Sequence, residues 1–422
     1  MGLSVPNTIK HHGDFTLISF EIIRGTKRFD VRDLLVGGNV FEDITSPFMT
    51  GNAIFQDSAG LYEHLPIDAA CKIHIKWATS RGTGTFERTF SFYSMVNFFK
   101  TEGGTVAHYT INFITEEYFL NKMTRLRRSF GTPSKTVDGD NVVRTICQSQ
   151  LGVDASRLHI EKTRFPVNFV APSLTPIQTI NFIGDYNLQE TNSPSQSKDV
   201  PFIFYEDVDG FHFVGLGNLI EGKYRPKVRR MRFTIEDAKN SSLDKVDLNR
   251  IISMKFAQTF DETNLLDNGA YASQCYVVDL NRKEMVLQNF DYASGKVPMT
   301  NMQGSKLVSG RLNKPSVSSL VHKSAQFANV DSAETNWLLA RSSVESQLNT
   351  QTAEIEVFGL SSRRVGELIQ VDAVSVLTLH GQTSTDKKYS GKYLTKRIRH
   401  TFNQSTLKQT LGVCKTTSGE NV

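Results

Sequence analysis

Two series of short strands, one near each end of the chain, constrain its fold more than any other feature. The first holds "GNAIF", "CKIHIKW", "FSFYSMVNFF" and "VAHYTINFI", around residues 51, 71, 92 and 106. The second holds "AEIEVF", "LIQVDAV", "GKYLTKRIRH" and "STLKQTLGV", at nearly the same separations roughly 300 residues later. Alternating apolar and polar residues bounded by Gly, Asp and Ser mark each run as a strand with one covered face. A chain with such an echo is expected to hold two related β-domains, with residues 51–114 and 353–414 sharing one strand order. Tyr93 and Tyr393 fall at matching places. "SMVNFF" (Ser94 to Phe99) is apolar and reads as a covered wall, with Val96 and Phe98 more buried than Lys396 and Arg397 and with Ile398 turned inward.

The segment between the two series has a different texture. "EEYFLNKMTRLRRSF", "DGDNVVRTICQSQLGV" and "SLTPIQTINFIGDYNL" have helical spacing, with Pro176 in a first turn and Gly152 and Gly184 as stops. "VPFIFYEDVDGFHFVGL" reads as a hairpin turning at Asp209-Gly210. From about Lys223 strands return, and "SAETNWLLARSSVESQL" reads as a helix that Ser332 caps, with Trp337, Ala340, Arg341, Val344 and Leu348 on one face. The organisation expected is a first tube-like β-domain over 1–115, an intermediate α+β domain over 116–222, a β segment over 223–300, a linker or excursion over 301–332, and a helix with a second tube-like β-domain over 333–422. The fold class expected is mainly β with an α+β middle: two similar tube-type β-barrel domains plus an intermediate α+β domain.

Composition limits the chemistry. The chain has 422 residues, enough for two to four domains, and 28 Phe against 2 Trp, which favours strands and large packed surfaces. Its net charge of +5 permits an acidic partner without demanding nucleic acid. Cys71, Cys147, Cys275 and Cys414 are far apart and form no CxxC, so they read as buried reduced thiols. The N-terminus has no apolar core of a signal peptide and lacks the full myristoylation pattern, and no run of about 18 apolar residues occurs. The chain is expected to be made and folded in a cytoplasm, with no membrane insertion.

No catalytic constellation stands out, and neither cofactor nor metal is expected. "GNLIEGKY" (Gly217 to Tyr224) matches a phosphate loop only until Tyr224, where Ser or Thr is needed. His11-His12 sits near a terminus, and His64 and His74 have no third ligand nearby. A carboxylate pair for glycoside hydrolysis has to meet in space, which a sequence does not display. Lys223, Arg225, Lys227 and Arg229 alternate and read as one strand face, either solvated or turned to an acidic partner. "RLRRSF" and the Lys396-Arg397-Arg399 group are further basic clusters, and no nucleic-acid reader motif accompanies them.

The closing block "FGLSSRRVGELIQVDAV…SGKYLTKRIRHTFNQSTLKQTLGV" resembles the C-terminal β-domain of baseplate hub proteins from contractile-tailed bacteriophages, and the hub portion of type VI secretion spike proteins. Gly359, Gly366, Gly391, Tyr393, Leu394 and His400 occupy the matching places. "GAYASQCYVVDLNRKEMVLQNFDY" and the helix-then-hairpin of the middle segment are similar to hubs of large myoviruses. The resemblance implies a homotrimer in which two tube β-domains per subunit make six similar units, matching a six-fold tail tube to a three-fold central spike. It implies the spike, tube or tube-initiator proteins and baseplate wedge proteins as partners, with tape measure and DNA passing through the channel. It implies a virion location in the tail baseplate after assembly in the host cytoplasm. The chain ends about ten residues past its last strand, where secretion spikes continue into a β-helix, so the spike is expected on another polypeptide. Two alternatives remain: a tail-borne cell-wall hydrolase and a nucleic-acid-binding module.

Overall fold

The computed structural model describes residues 15–187, 201–232, 249–291, 316–317, 333–373 and 386–416, apart from short stretches within them. The 301–332 excursion, except residues 316–317, and the Ser332 cap lie outside the described residues.

In chain order the principal strands are β1 (Thr16–Arg24), β2 (Lys27–Asp30), β3 (Leu35–Asp43), β4 (Thr50–Asp57), β5 (Cys71–Ala78), β6 (Thr85–Lys100) and β7 (Ala107–Ile114). The middle segment adds β8 (Leu158–Ile160), β9 (Phe202–Asp207) and β10 (Gly210–Gly215). Then come β11 (Arg229–Arg232), β12 (Ile251–Gln258), β13 (Ala272–Asp279), β14 (Glu284–Asp291), β15 (Thr352–Phe358), β16 (Leu368–Asp372), β17 (Gly391–Phe402) and β18 (Leu407–Lys415). The main helices are α1 (Glu117–Met123), α2 (Gly139–Gln150), α3 (Pro176–Asp185) and α4 (Ala333–Leu348).

The protein is mainly β. A 13-stranded sheet runs β12-β15-β18-β17-β3-β4-β7-β6-β5-β1-β2, with β16 beside β17 and β11 beside β16. Both terminal series lie in it. The first has the order β4-β7-β6-β5 and the second β15-β18-β17-β16, so first, fourth, third and second strands follow one another in each. All these pairs are antiparallel. Each series gains a fifth strand on the same side, β3 against β4 and β12 against β15.

Irregularities repeat too. β6 shifts register between Phe92 and Ser94, and β17 between Thr395 and Arg397, each against the last strand of its series. β3 shifts between Leu35 and Gly37, and β12 between Ile251 and Ser253. Bulges are specific features of a strand, so two in equivalent places mark one five-strand unit used twice. This alignment corrects the expected tyrosine match: Tyr393 corresponds to Phe90, both fully buried, and Tyr93 corresponds to Lys396.

Three cores follow. One lies on the first unit, around Phe20, Phe55, Trp77 and Phe113. A second lies on the second unit, around Ile355, Val371, Tyr393 and Leu411. The third gathers α2, α3 and one face of the β9-β10 hairpin, through Ile146, Ile180, Phe204 and Phe211. The hairpin's other face gives Tyr205 and Val214 to the second core. Burial on both faces explains its almost unbroken apolar sequence.

The helical expectations mostly hold. Thr175 and Gln178 form a capping box on α3, with Pro176 in its first turn. Gly184 is not a stop: it lies inside α3, where an added Cβ would meet Phe202 at 3.2 Å. α1 ends at Met123 rather than continuing through the arginines. On α4, Ala340, Arg341, Val344 and Leu348 are buried as one face. Cys71, Cys147 and Cys414 are buried free thiols, and burial pushes Cys147 and Cys414 up to about 12.

Phe402 belongs to β17 yet packs in the first unit's core, with ring centroids 5.4 Å from Trp77 and 6.2 Å from Phe20. Phe402→Ala should lower stability by about 3–5 kcal/mol, read as a shift of the urea midpoint followed by tryptophan emission.

Candidate functional site

The seam between the two units is the bond between β17 and β3, which pairs Arg397 with Asp43 through Phe402 with Gly38. On its core side lies a chain of buried polar groups. Gln409 accepts at Oε1 from Arg363 at 2.6 Å and from the Leu360 N–H at 3.1 Å, which fixes its amide orientation. Its Nε2 therefore donates, to Leu360 O and to His400 Nδ1, each at 3.0 Å. His400 must then carry its proton on Nε2 and donate it to Glu42 Oε1, 3.0 Å away. His400, one of the family positions, is thus a seam residue: it ties β17 to β3 through two fully buried side chains.

The opposite face of the seam is exposed and polar. Asn39 donates to Asn52 Oδ1 at 2.9 Å and accepts from Thr401 at 2.9 Å and from Arg399 at 2.8 Å. Further along, Asn112 donates to Ser94 at 2.9 Å. A row of amides and hydroxyls crosses the sheet from one unit to the other.

The other family positions are packing residues. A Cβ on Gly359 would stand 2.3 Å from Leu407. Gly366 has φ +77° and its N–H donates to Thr395 O at 2.8 Å. Gly391 has φ +140°, also a glycine conformation. Tyr393 and Leu394 are fully buried, and the Tyr393 hydroxyl donates to Tyr389 O at 2.7 Å.

The basic row is corrected. Residues 223–228 form no strand, so alternation does not put the four cations on one face. Pro226 interrupts the run. Arg225 turns inward to Asp207 at 2.5 Å, and Arg229 pairs with Glu367 at 2.9 Å and is almost covered. Lys223 and Lys227 face outward, Lys223 beside Glu221 at 2.9 Å. The covered wall at β6 is corrected as well. Val96 is 40% and Phe98 46% exposed, whereas Lys396 is half-buried, Arg397 is exposed and Ile398 is inward as expected.

A buried charge junction holds the middle segment to both units. Its centre is the tip of the β9-β10 hairpin. Glu206 Oε1 accepts from Arg88 of β6 at 2.9 Å and from Arg157 at 3.2 Å, and Oε2 accepts from the Met49 N–H at 3.1 Å. Asp207 accepts from Arg225 and lies 2.8 Å from His212 Nε2, whose Nδ1 is 2.7 Å from the Tyr224 hydroxyl. Asp209 binds Arg364 of the second half at 3.0 Å. Full burial raises the Glu206 carboxyl to about 8 against the pull of Arg88. Burial also favours the neutral form of Asp207, but His212 and Arg225 outweigh it and hold that carboxyl well below its usual range. Burial lowers His212, against the attraction of Asp207.

The junction contains an Asp-His-Tyr chain without an exposed nucleophile: Asp207 and His212 are sealed, and Tyr224 is raised by burial. A groove of about 360 Å³ opens nearby, lined by Glu87, Glu116 and Glu117 among others. Each of these carboxylates is ion-paired, to Lys76, Lys72 and Arg157 respectively. The arrangement binds elements together. Among the described residues no three metal-ligating side chains gather, and no helix is long and apolar enough to cross a membrane.

Among solved structures, the chain aligns over 94% of its length with the tail protein from Neisseria meningitidis MC58, covering 96% of that chain at TM-score 0.56 and 10% identity. It aligns equally far with the 43 kDa tail protein of prophage MuSo2 from Shewanella oneidensis, covering 98% of that chain at TM-score 0.52 and 8% identity. This is a tail-protein fold. The likeness to phage tail components expected from the closing block therefore holds at the level of fold. A component of the type VI secretion system from E. coli aligns over 93% of this chain and 76% of its own, at TM-score 0.45 and 9% identity. No protein-family model and no curated protein matches the sequence.

Two outcomes test this description. His400→Phe strands Glu42 in the seam and should cost about 3–5 kcal/mol, measured by urea unfolding. Glu206 keeps a proton when folded that it loses near its usual value when unfolded. Its contribution is therefore full at low pH and is lost as pH rises toward 8. Between pH 5 and 8 the wild type should lose about 1 kcal/mol per pH unit relative to Glu206→Gln, measured as paired urea midpoints across that range.

Proposed function

We propose that the protein is a structural component of a contractile tail: a homotrimeric baseplate hub that joins the six-fold tail tube to the three-fold central spike. The observation that carries this reading is the internal repeat. One chain holds the same five-strand unit twice, with shared strand order and two shared bulges. Three chains then offer six near-equivalent units, which is what a three-fold object needs to meet a six-fold one. The tail-protein fold supports the same reading.

The exposed face of the seam suits a channel wall. Its amides and hydroxyls bond one another, and Lys408 there is paired with Glu356 at 3.1 Å. Anionic DNA binds most strongly where unpaired cations release its counterions. Apart from the exposed Arg397 and Arg399, the wall's amides and hydroxyls are neutral and bonded to one another, which limits its hold on DNA and tape measure as they pass. The spike, the tube or its initiator and wedge proteins are the partners of this hub, in the virion baseplate after assembly in the host cytoplasm. Lys223 and Lys227 remain as outward cations for an acidic partner, while the reading assigns Arg225 and Arg229 to the chain's own fold.

The test is the mass and symmetry of the purified chain, alone and mixed with its spike. Light scattering should give three times the chain mass, and electron microscopy a ring with a central opening. A monomer under both conditions would refute the hub.

A further inference from the structure

The sheet has two open edges that the repeat makes comparable. β17 bonds β16 along its first half and β3 along its second. Its counterpart β6 bonds β5 along its first half, but among the described residues nothing pairs beside 92–100 opposite β7. β3 lies between β4 and β17. Its counterpart β12 bonds β15 on one side, and among the described residues no strand pairs on the other. Among the described residues, the edges occupied in the seam are thus vacant at their equivalents. These edges lie apart in the sheet order, with six strands between β12 and β6.

We propose that the second half of β6 in one copy pairs antiparallel with β12 of a second copy, repeating between chains the seam that β17 and β3 form within one. This rests on the hub reading and names the joint that closes its ring. The contact is head-to-tail, and such contacts give closed rings when the rotation closes.

The seam also supplies the register. There Arg399 faces Phe41, Thr401 faces Asn39 and Phe402 faces Gly38. By the repeat these correspond to Val96 with Gln258, Phe99 with Lys255, and Lys100 with Met254. β6 carries an extra residue between Val96 and Phe99, and β12 carries one between Phe256 and Gln258. The two insertions fall opposite each other and cancel. Asn97 then faces Ala257, Phe98 faces Phe256, and the pairing stays in step throughout. Two independent strands with matched irregularities are hard to explain unless the strands meet.

Burial agrees. In the seam, His400 and Val40 face each other at 1% and 0% exposure. At the vacant positions Phe98 is 46% exposed although it packs on Tyr62, and Phe256 is half-buried against Tyr389. Val96 at 40% and Phe99 at 56% stand exposed along the same edge. From Val96 to Phe99 this edge carries no charge or proline and nothing covers it among the described residues; such an edge is an aggregation hazard, and a partner edge of fixed register is the cover it requires.

Disulfide trapping tests the joint. Phe99→Cys and Lys255→Cys change exposed side chains and are made in separate full-length proteins and also together. Mild oxidation of the two singly substituted proteins, mixed, should give a covalent dimer. The doubly substituted protein should give a covalent trimer on non-reducing gels. Phe99→Cys with Ser253→Cys, two residues out of register, should give at least tenfold less. A trimer by light scattering that forms no Phe99–Lys255 link, or links the offset pair equally, overturns the joint and leaves the hub intact. A chain that stays monomeric and forms no link overturns both.

Discussion

The backbone bonds between β17 and β3 are the constraint on which the rest depends. Each five-strand unit has its own core, but the seam decides that the two cores share one sheet. A buried seam must also satisfy its polar groups, since an unpaired buried donor or acceptor costs about as much as a hydrogen bond contributes or more. The Arg363–Gln409–His400–Glu42 chain does most of this with one consistent set of donors and acceptors, leaving Glu42 Oε2 and Arg363 Nε buried without a hydrogen bond among the described residues. Phe402 and Leu407 cross the same line to fill the first unit's core.

The charge junction solves a different problem. The β9-β10 hairpin lies between two cores, so its tip carries Glu206 and Asp207 out of contact with bulk solvent. Arginines reach them from each neighbour: Arg88 from the first unit, Arg157 from the middle segment and Arg225 from the segment that follows, while Arg364 of the second half holds Asp209 beside them. Replacing such a network by apolar residues can be neutral, while breaking one partner is not. What the network contributes is a fixed angle among three bodies.

Much of the architecture was legible. Strands covered on one face alternate, so both terminal series declared themselves, and their order proved common to both. The helices of the middle segment showed through Pro176 and their apolar spacing. The seam was not legible, because it pairs residues about 360 apart and no local pattern encodes a partner that distant. The row at Lys223 misled because alternation was read as strand, where Pro226 breaks the run and two arginines turn inward to acids. β6 misled in the other direction: residues apolar on both faces signal cover, and among the described residues nothing covers Val96 to Phe99. The junction left a readable trace that sequence reasoning passed over. Glu206, Asp207 and His212 interrupt an apolar hairpin, and charges buried in such a strand require partners.

The separation across the seam also sets a clock on biosynthesis. β3 is complete by residue 43, and its partner strand ends at residue 402. At about 5–20 residues per second the ribosome takes roughly 20–70 s to deliver that partner. Once residue 114 is made the first unit is ready to fold, and one sheet edge waits bare for the rest of this interval. Non-local pairing of this kind is slow and exposes the chain to wrong partners. Nascent copies on one message stand close together with the same edge open. The charged and polar residues on β3, Asn39, Glu42 and Asp43, are then its protection against premature zipping until the last hairpin arrives.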